Sequence, residues 1–167
     1  MPDFSIRDAT DADLPALAEA MVRLQTAHTE AFPDVYRTFD VDVAKGHLES
    51  QLNEPDTVIR VATVSEDGQS EIIAGHVVFA VEEKPETVFT RARRIGHLCQ
   101  IEVEPAFRRS GLGQLLLEDC DRLATAHGVT QIFLQVGAFN SPARAFFEES
   151  GFEEFGSRLC RRVRIER

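Results

Sequence analysis

Tryptophan is absent from this chain of 167 residues, tyrosine occurs once, at Tyr36, and cysteine occurs three times. The cysteines are widely separated, at Cys99, Cys120 and Cys160. An odd number of cysteines at such spacing gives neither a disulfide framework nor the paired ligands of a zinc site. The sequence therefore excludes a small disulfide-stabilised scaffold, and it predicts reduced thiols and no metal site.

Positive charge is also scarce, because 28 acidic residues outweigh 18 basic ones and leave a net charge of -10. Such a balance argues against a nucleic-acid or anionic-membrane partner. No apolar run approaches the length of a membrane span, and Met1–Phe4 lacks the charged and apolar regions of a signal peptide. We therefore expect a cytoplasmic protein that folds as a single domain over residues 1–167.

Segments of strand-like and helix-like periodicity fill the chain. β-branched runs between turn residues predict strands, and apolar residues three and four apart predict helices. Their order, β-α-α-β-β-β-α-β-α-β-β, predicts an α/β domain with a mixed sheet. The predicted strands are Phe4–Arg7, Thr57–Val64, Glu71–Glu82, Arg94–Glu104, Val129–Val136, one that starts in Phe152–Phe155, and Leu159–Ile165, with a hairpin turn at Glu66–Gln69. The predicted helices run from Thr10 or Asp11 to Ala27, and over Val41–Leu52, Leu112–Ala126 and Pro142–Ser150.

The clearest functional pattern is the run Arg108-Arg109-Ser110-Gly111-Leu112-Gly113, which lies between a predicted strand and a predicted helix. The first N–H groups of a helix have no backbone partner, and the helix dipole adds partial positive charge there. Gly111 and Gly113 have no Cβ, so the backbone can approach a phosphate closely. Two arginines add full positive charges. This pattern predicts a site for a phosphate-bearing ligand.

Two segments resemble the GNAT superfamily of N-acetyltransferases. Residues 101–113, Ile-Glu-Val-Glu-Pro-Ala-Phe-Arg-Arg-Ser-Gly-Leu-Gly, are similar to its acyl-CoA motif: a strand, then Arg/Gln-x-x-Gly-x-Gly/Ala opening a helix. Residues 140–152, Asn-Ser-Pro-Ala-Arg-Ala-Phe-Phe-Glu-Glu-Ser-Gly-Phe, resemble its second cofactor motif. The order of elements agrees over nearly the whole chain. The resemblance implies a mostly antiparallel central sheet with helices on both faces.

The resemblance also implies how acetyl-CoA would be held as cosubstrate. Backbone N–H groups of Arg109–Gly113 would bind the pyrophosphate, the strand at Ile101–Val103 would pair with the pantetheine amides, and Asn140 would bond the pantetheine chain. The thioester would lie where the strand after Gly128 splays from the preceding one. The cofactor-binding residues implied are Ile101, Glu102, Val103, Arg108, Arg109, Ser110, Gly111, Leu112, Gly113, Gln114, Asn140, Ala143 and Phe147.

Transfer to an amine needs a base, because a free amine near pH 7 is mostly protonated. His97 is our candidate: its position relative to Arg108 resembles that of the catalytic Glu or His in histone and arylalkylamine acetyltransferases. Simple alternation places His97 on the strand face of Cys99, Ile101 and Val103. Glu102 and Glu104 are the alternatives, and Glu102 reaches the same site only if the strand is bulged. The backbone N–H of Val103 is the candidate oxyanion donor.

The acid that would protonate the departing thiolate is missing from its usual place. Many members of the family have Tyr where this chain has Phe147, and Phe has no proton to give. Water or another group must then act, or CoA leaves as the thiolate. Tyr36 could reach the site from the loop between the first two helices.

From these observations we expect an acetyl-CoA-dependent N-acetyltransferase that acts on a primary amine, small or peptide-borne, by direct transfer in a ternary complex. One alternative is a non-catalytic acyl-CoA-binding or regulatory module, which Phe147 would suit. Another is a transferase for a longer acyl group. By analogy with the fold alone, a homodimer is also an expectation.

Overall fold

The computed structural model describes residues 2–66 and 70–161 of the chain, which forms two compact units, Met1–Gln135 and Val136–Arg167. The described elements of the first unit are β1 (Phe4–Asp8), α1 (Leu14–Ala31), α2 (Val41–Leu52), β2 (Thr57–Glu66), β3 (Ser70–Lys84), β4 (Arg93–Val103), α3 (Leu112–Ala126) and β5 (Ile132–Leu134). The second unit carries α4 (Ser141–Glu149). Short 3-10 helices precede α1, at Asp11–Asp13, and α3, at Pro105–Phe107.

The five described strands form one sheet in the order β1-β2-β3-β4-β5. Neighbours from β1 to β4 are antiparallel, and β5 is parallel to β4. Antiparallel neighbours need only short connections, whereas the parallel pair is joined through α3, as a crossover requires. The predicted α/β class with a mixed, mostly antiparallel sheet is confirmed.

Helices cover both faces of the sheet. On one face, α1 and α2 bury a continuous apolar cluster against β2 and β3, in which each Leu, Ile or Val side chain contributes roughly 1.5–3 kcal/mol of burial. Its buried members are Leu14, Leu17, Ala18, Ala44, Leu48, Ile59, Val61 and Val78. On the opposite face, α3 packs Leu112 and Leu116 beside Gly75, and Arg60 of β2 donates to Asp119 at 2.8 Å. The buried face of α3 continues at Cys120 and Ala124.

The start of α1 explains why its predicted boundary was ambiguous. Thr10 and Asp13 form a capping box around the short 3-10 turn, in which the Asp13 carboxylate accepts from the Thr10 backbone at 2.8 Å. Arg7 donates to the same carboxylate at 2.8 and 3.0 Å. The bond from Arg7 is the main reason that the pKa of Asp13 is lowered. The helix then continues to Ala31, one turn beyond the predicted end at Ala27.

Two strand predictions differ from the structure. The strand expected over Val129–Val136 shortens to Ile132–Leu134, because it pairs with β4 at three residues only. Residues 152–161 contain no strand, so the one predicted from Phe152 is wrong. There Arg144 draws Glu154 into an ion pair at 2.9 Å, and Phe155 stays exposed instead of entering a core. The predicted turn at 66–69 and the end of the last predicted strand extend outside the described residues.

Candidate active site

The loop between β4 and α3 turns backbone N–H groups outward. Arg109 and Gly111 both have left-handed backbones, with φ of 60° and 85°. Alternating left- and right-handed residues ahead of a helix create a concavity of N–H groups that suits an anion. Among the described residues, the amides of residues 109–113 have no backbone acceptor. Gly111 satisfies its conformation without strain because it has no Cβ.

Side chains fix this loop to the end of β4. Arg108 donates through Nε to the Val103 carbonyl oxygen at 3.2 Å, and the Ser110 hydroxyl donates to the Phe107 carbonyl at 2.6 Å. The guanidinium of Arg108 is thereby anchored at its base while its side chain remains exposed. The predicted phosphate-binding run therefore has a geometry that suits an anion. The helix begins where the Gly111 carbonyl accepts from the amides of Gln114 at 3.1 Å and Leu115 at 3.2 Å.

In the described part of the chain, no strand pairs with the edge of β4 next to this loop, and we call this edge open. β5 pairs with β4 only at Gly96, His97 and Leu98. The Glu104 amide donates to the Ala74 carbonyl at 2.8 Å, so the pair Gly75–Val103 occupies a non-hydrogen-bonded position of the β3–β4 ladder. The N–H and C=O groups of Val103, and of Ile101 two residues earlier, must then point away from β3 toward the open edge. This geometry suits an extended ligand chain with amide groups.

The close approach of the strands at this position depends on glycine. A Cβ added to Gly75 would lie 2.7 Å from the backbone oxygen of Glu102, well inside contact distance. Any larger residue would push β3 away from β4 and disturb the open edge. The strand pattern alone marks Gly75 as a site of close backbone approach.

A β-bulge at Cys99 changes which side chains share a face of β4. The register runs Ala80↔His97 and Phe79↔Leu98, then Val78↔Gln100, so Cys99 has no partner residue. Such an extra residue shifts the alternation of the strand. His97, Gln100 and Glu102 consequently lie on the face of Val78, which is the face covered by α1 and α2.

The bulge shows that the predicted facing of His97 is wrong, and it is the bulge that the alternative base Glu102 required. His97 does not share a face with Ile101 and Val103, as simple alternation had implied. The alternative base Glu102, expected to reach the same side of the sheet only in a bulged strand, lies on the same face as His97. The two candidate bases are therefore both directed to the α1–α2 side.

His97 is held by a carboxylate. Its Nε2 lies 2.8 Å from the Glu82 Oε2, and 37% of its side chain is exposed. Lys84 also contacts Glu82, at 2.5 Å. These two contacts lower the pKa of Glu82, Lys84 having the larger effect. A carboxylate in this position orients the ring and stabilises the imidazolium form.

Glu102 is a buried carboxylate, with 9% of its side chain exposed. Its Oε1 lies 3.4 Å from Nη2 of Arg23, whose nearer partner is Glu104, while its Oε2 has no hydrogen-bond partner among the described residues. Burial raises the pKa of Glu102, and the positive charge of Arg23 opposes that rise.

Two polar residues that adjoin Glu102, His76 and Gln100, were not identified from the sequence. His76 stands directly opposite Glu102 in the register and is 1% exposed; burial, and then Arg23, lower its pKa to about 4. Gln100 precedes Glu102 on the same face. His76 Nε2 and Gln100 Nε2 are both buried and unpartnered. A histidine inside the apolar run Ile72–Val81 was the available signal for this cluster.

Tyr36 lies in the segment between α1 and α2, 39% exposed. Its ring packs edge-to-face on His28, with the centroids 5.2 Å apart. In the part of the chain that the structure describes, no hydrogen bond or ring contact joins it to His97 or Glu102. Among the described residues, Tyr36 thus has no direct contact with the other two candidate catalytic residues.

The remaining candidate residues belong to the second unit. The Asn140 side chain accepts from the Ala143 amide at 3.2 Å and caps α4, so a ligand would meet its amide nitrogen. Phe147 is buried and packs against Phe146 and Phe152, with centroids 5.3 and 5.6 Å apart. Phe147 therefore serves an aromatic cluster in this unit.

Comparison with known proteins defines the class of this molecule. The model of the acetyltransferase (GNAT) family matches residues 21–152, and the chain belongs to that family. Over 58 residues it is 47% identical to the [ribosomal protein bS18]-alanine N-acetyltransferase of Salmonella typhimurium, a match that covers 34% of this chain and 38% of that relative. The matched segment thus spans well under half of the relative's length.

Solved structures share the fold over nearly the whole chain. The BH1408 protein from Bacillus halodurans superposes with a TM-score of 0.86 at 21% identity, covering 95% of this chain and 99% of that one. An aminoglycoside N-acetyltransferase, AAC(6')-Iy in complex with CoA, superposes with a TM-score of 0.71 at 18% identity, covering 99% and 97%. At these identities the likeness shows the fold alone. None of the described helices is long and apolar enough to cross a membrane.

Proposed function

We propose that this chain transfers an acetyl group from acetyl-CoA to a primary amine, directly, in a complex that holds both substrates. One observation carries the proposal: outward-facing amides of the β4–α3 loop lie beside a stretch of β4 whose Ile101 and Val103 backbone groups face an open edge. A phosphate cradle beside a strand edge that pairs with no described strand, and whose Val103 carbonyl accepts from the Arg108 side chain, matches a ligand that has a pyrophosphate at one end and amides along its arm. Acetyl-CoA has this chemistry.

The residues that would hold acetyl-CoA act mainly through their backbones. The amides of residues 109–113 bind the pyrophosphate, helped by the charges of Arg108 and Arg109. The backbone groups of Ile101 and Val103 pair with the pantetheine amides. The full set, proposed from the family motifs, is Ile101, Glu102, Val103, Arg108, Arg109, Ser110, Gly111, Leu112, Gly113 and Gln114 in the first unit, with Asn140, Ala143 and Phe147 in the second.

His97 is the proposed base. The Glu82 carboxylate at 2.8 Å fixes the ring through Nε2, which leaves Nδ1 to accept a proton from the amine or from a bridging water. The positive imidazolium that results is stabilised by the same carboxylate. The thioester supplies an acyl carbon that the neutral amine attacks, and the Val103 N–H, facing the open edge, stabilises the developing negative oxygen.

Glu102 is the second candidate for the base. Burial raises the pKa of its carboxyl, and its Oε2 has no partner among the described residues. Against this role, Arg23 lies 3.4 Å away and favours the charged form. The partial exposure of His97 gives its proton a route to solvent, so His97 remains our assignment.

Protonation of the departing thiolate has no dedicated acid at Phe147. Tyr36 is the only phenol in the chain, and its position after α1 makes it the proposed acid if the loop between α1 and α2 closes on the substrate. Water is the alternative acid. CoA can also leave as the thiolate, because a thiol of ordinary acidity needs no proton to depart. We further propose a cytoplasmic enzyme without a metal, with no nucleic-acid or membrane partner, that can pair as a homodimer.

Turnover tests the proposal. The purified chain is incubated with acetyl-CoA and a panel of small amines, amino sugars and peptides, and thiol release is followed. We expect initial rates that give intersecting double-reciprocal lines when both substrates are varied, as a ternary complex requires. Parallel lines would contradict direct transfer. Propionyl-CoA and longer thioesters, compared at equal concentration, test whether acetyl is the preferred group.

A non-catalytic acyl-CoA-binding module is the second candidate, and the packing of Phe147 favours it. That side chain lies in an aromatic cluster and offers no proton. Tight CoA binding without thiol release on any amine of the panel would support this candidate over catalysis.

A further inference from the structure

Three buried polar atoms of β3 and β4, on the face toward α1 and α2, have no partner among the described residues: His76 Nε2, Gln100 Nε2 and Glu102 Oε2. Buried polar atoms in folded proteins nearly always have a hydrogen-bond partner, because leaving one unpaired is costly. Three such atoms on one side of two neighbouring strands are therefore evidence of a group that the polypeptide itself does not supply.

The register brings the three side chains within reach of one small group. His76 and Glu102 are directly opposed on β3 and β4, which puts their Cβ atoms about 5 Å apart. Gln100 lies two residues before Glu102 on the same face, about 7 Å along the strand. The bulge at Cys99 produces this arrangement, because without it Gln100 and Glu102 would face α3.

The unpaired atoms call for both kinds of hydrogen-bonding group. Glu102 Oε2 is an acceptor and needs a donor such as N–H, whereas Gln100 Nε2 is a donor and needs an oxygen. The buried His76 imidazole adds a neutral nitrogen to the floor of the cluster. A ligand that carries an amine and an oxygen on neighbouring carbons satisfies Glu102 and Gln100 together.

Arg23 covers this cluster and can leave it. Its guanidinium lies 3.4 Å from Glu102 but makes its hydrogen bond to Glu104, and 41% of its side chain is exposed. Movement of Arg23 wholly onto Glu104 would leave the buried Glu102 carboxylate without a cation until an incoming ammonium group took its place. The cluster thus consists of buried polar side chains beside the cationic Arg23, and an incoming ammonium group can take the place of Arg23.

We propose that Glu102 and Gln100 form the acceptor subsite, in which Glu102 accepts from the amino group and Gln100 donates to an oxygen on the adjacent carbon. The acceptor class is then a β-amino alcohol or an α-amino carbonyl compound. This inference rests on the proposed function and adds the identity of the acceptor's recognised atoms. Arg23 is the resident cation that the acceptor displaces.

Two isosteric probes test it. 2-Aminoethanol carries the amine and the oxygen, whereas propylamine replaces that oxygen by a methyl group. We expect kcat/KM for 2-aminoethanol to exceed that for propylamine about tenfold, the effect of one net hydrogen bond. Binding of each amine to the protein saturated with S-ethyl-CoA, a thioether that cannot transfer its group, is measured by calorimetry and should show the same preference.

Variants assign the preference to residues. Gln100→Met should abolish the preference by lowering kcat/KM for 2-aminoethanol alone. Glu102→Gln should weaken the binding of both amines. Arg23→Gln should lower KM for both amines, because it removes the competing cation. Glu19→Gln, an exposed charge change on α1, is the matched control and should alter neither ratio.

The outcomes separate this inference from the proposed function. Turnover with equal kcat/KM for the two probes, or a preference that survives Gln100→Met, overturns the subsite and leaves the acetyltransferase standing. Binding with the expected preference but no thiol release supports the subsite while the proposed function fails. If neither amine binds the S-ethyl-CoA complex, buried water alone satisfies the three atoms and the inference is wrong.

Discussion

The two halves of the candidate site differ in whether backbone groups or side chains form them. The proposed donor end, from Ile101 to Gly113, is built almost entirely from backbone groups, namely outward amides of the loop and the free edge of β4. The proposed acceptor side, under α1 and α2, is built from side chains: His97 with Glu82, and Glu102 with its neighbours. Both lie on the same strand, one along its edge and the other on its face.

This difference governs what each half tolerates. A backbone site depends on φ angles and on the few positions where a Cβ would interfere, so most side chains there can change without loss. A side-chain site depends on the identity and the facing of every member. We therefore expect substitutions on the face of β4 to affect chemistry and acceptor binding, and substitutions in the loop to affect CoA binding alone.

Replacing His97 should have the largest effect. His97→Ala removes the proposed base, and general-base catalysis contributes about 10²- to 10⁴-fold, so kcat should fall by that factor. KM for acetyl-CoA should stay nearly unchanged, because the proposed donor end does not involve this side chain. Initial rates across pH 5.5–9.5 measure both, with His47→Ala as the control, since His47 is exposed on α2. An unchanged rate across that pH range would remove His97 from the mechanism.

His76 should make stability depend on pH. Its folded pKa is about 4 against an ordinary value of 6.5, so the unfolded chain takes up a proton below about pH 6.5 while the folded chain does not. The free energy of unfolding should therefore decrease as the pH is lowered from 6.5 to 4, and it should be about 2 kcal/mol smaller at pH 5 than at pH 7. Urea unfolding at the two pH values measures it.

The matched variant for that measurement is His76→Gln, which cannot titrate in this range. Its loss of stability between pH 7 and pH 5 should be about 2 kcal/mol smaller than that of the unmodified chain. An NMR titration of the His76 ring in the unmodified chain is a second readout. A ring that titrates near 6.5 would contradict the burial argument, whatever the variant does.

Gly111→Ala should have the smallest effect, confined to the donor end. Its φ of 85° costs an L-residue about 1–2 kcal/mol, although a Cβ there would meet no atom within 4 Å. Relaxation of the loop should raise the dissociation constant for CoA about tenfold, while KM for the amine stays unchanged. Gly46→Ala, in the interior of α2 and also free of contacts, should instead stabilise the fold by about 0.5–1 kcal/mol without affecting CoA. Equal CoA affinities of Gly111→Ala and Gly46→Ala would mean that the loop conformation is not needed.

The same division separates what the sequence predicts well from what it does not. Helices α2 and α3 begin and end at their predicted residues, Val41–Leu52 and Leu112–Ala126, because capping residues and apolar spacing are local signals. The loop from Arg108 to Gly113 was equally accessible, since its geometry follows from two glycines and a helix start. Family membership was recognisable from these motifs and is confirmed.

The acceptor side was not accessible in the same way. Nothing in His97-Leu98-Cys99-Gln100 distinguishes a bulged strand from a regular one, because the extra residue is decided by how β4 pairs with β3. The cluster of His76 and Glu102 depends on that register, and so on contacts between residues far apart in sequence. The strand expected from Phe152 failed for a similar reason: alternation indicates a strand only where a partner buries one face.

The unpaired residue Cys99 shifts the side-chain alternation of β4 by one position. Upstream of it β4 presents one set of side chains to α1 and α2, and downstream it presents the set that regular alternation would have turned to α3. Regular pairing of Cys99 would keep every chemical group of the chain and yet turn Gln100 and Glu102 to the opposite side of the sheet, whereas deleting Cys99 would remove the bulge and leave both residues on the face of His97. A related chain can therefore present the same two residues to the acceptor side in either of two ways, with this bulge or with one residue fewer and a regular strand.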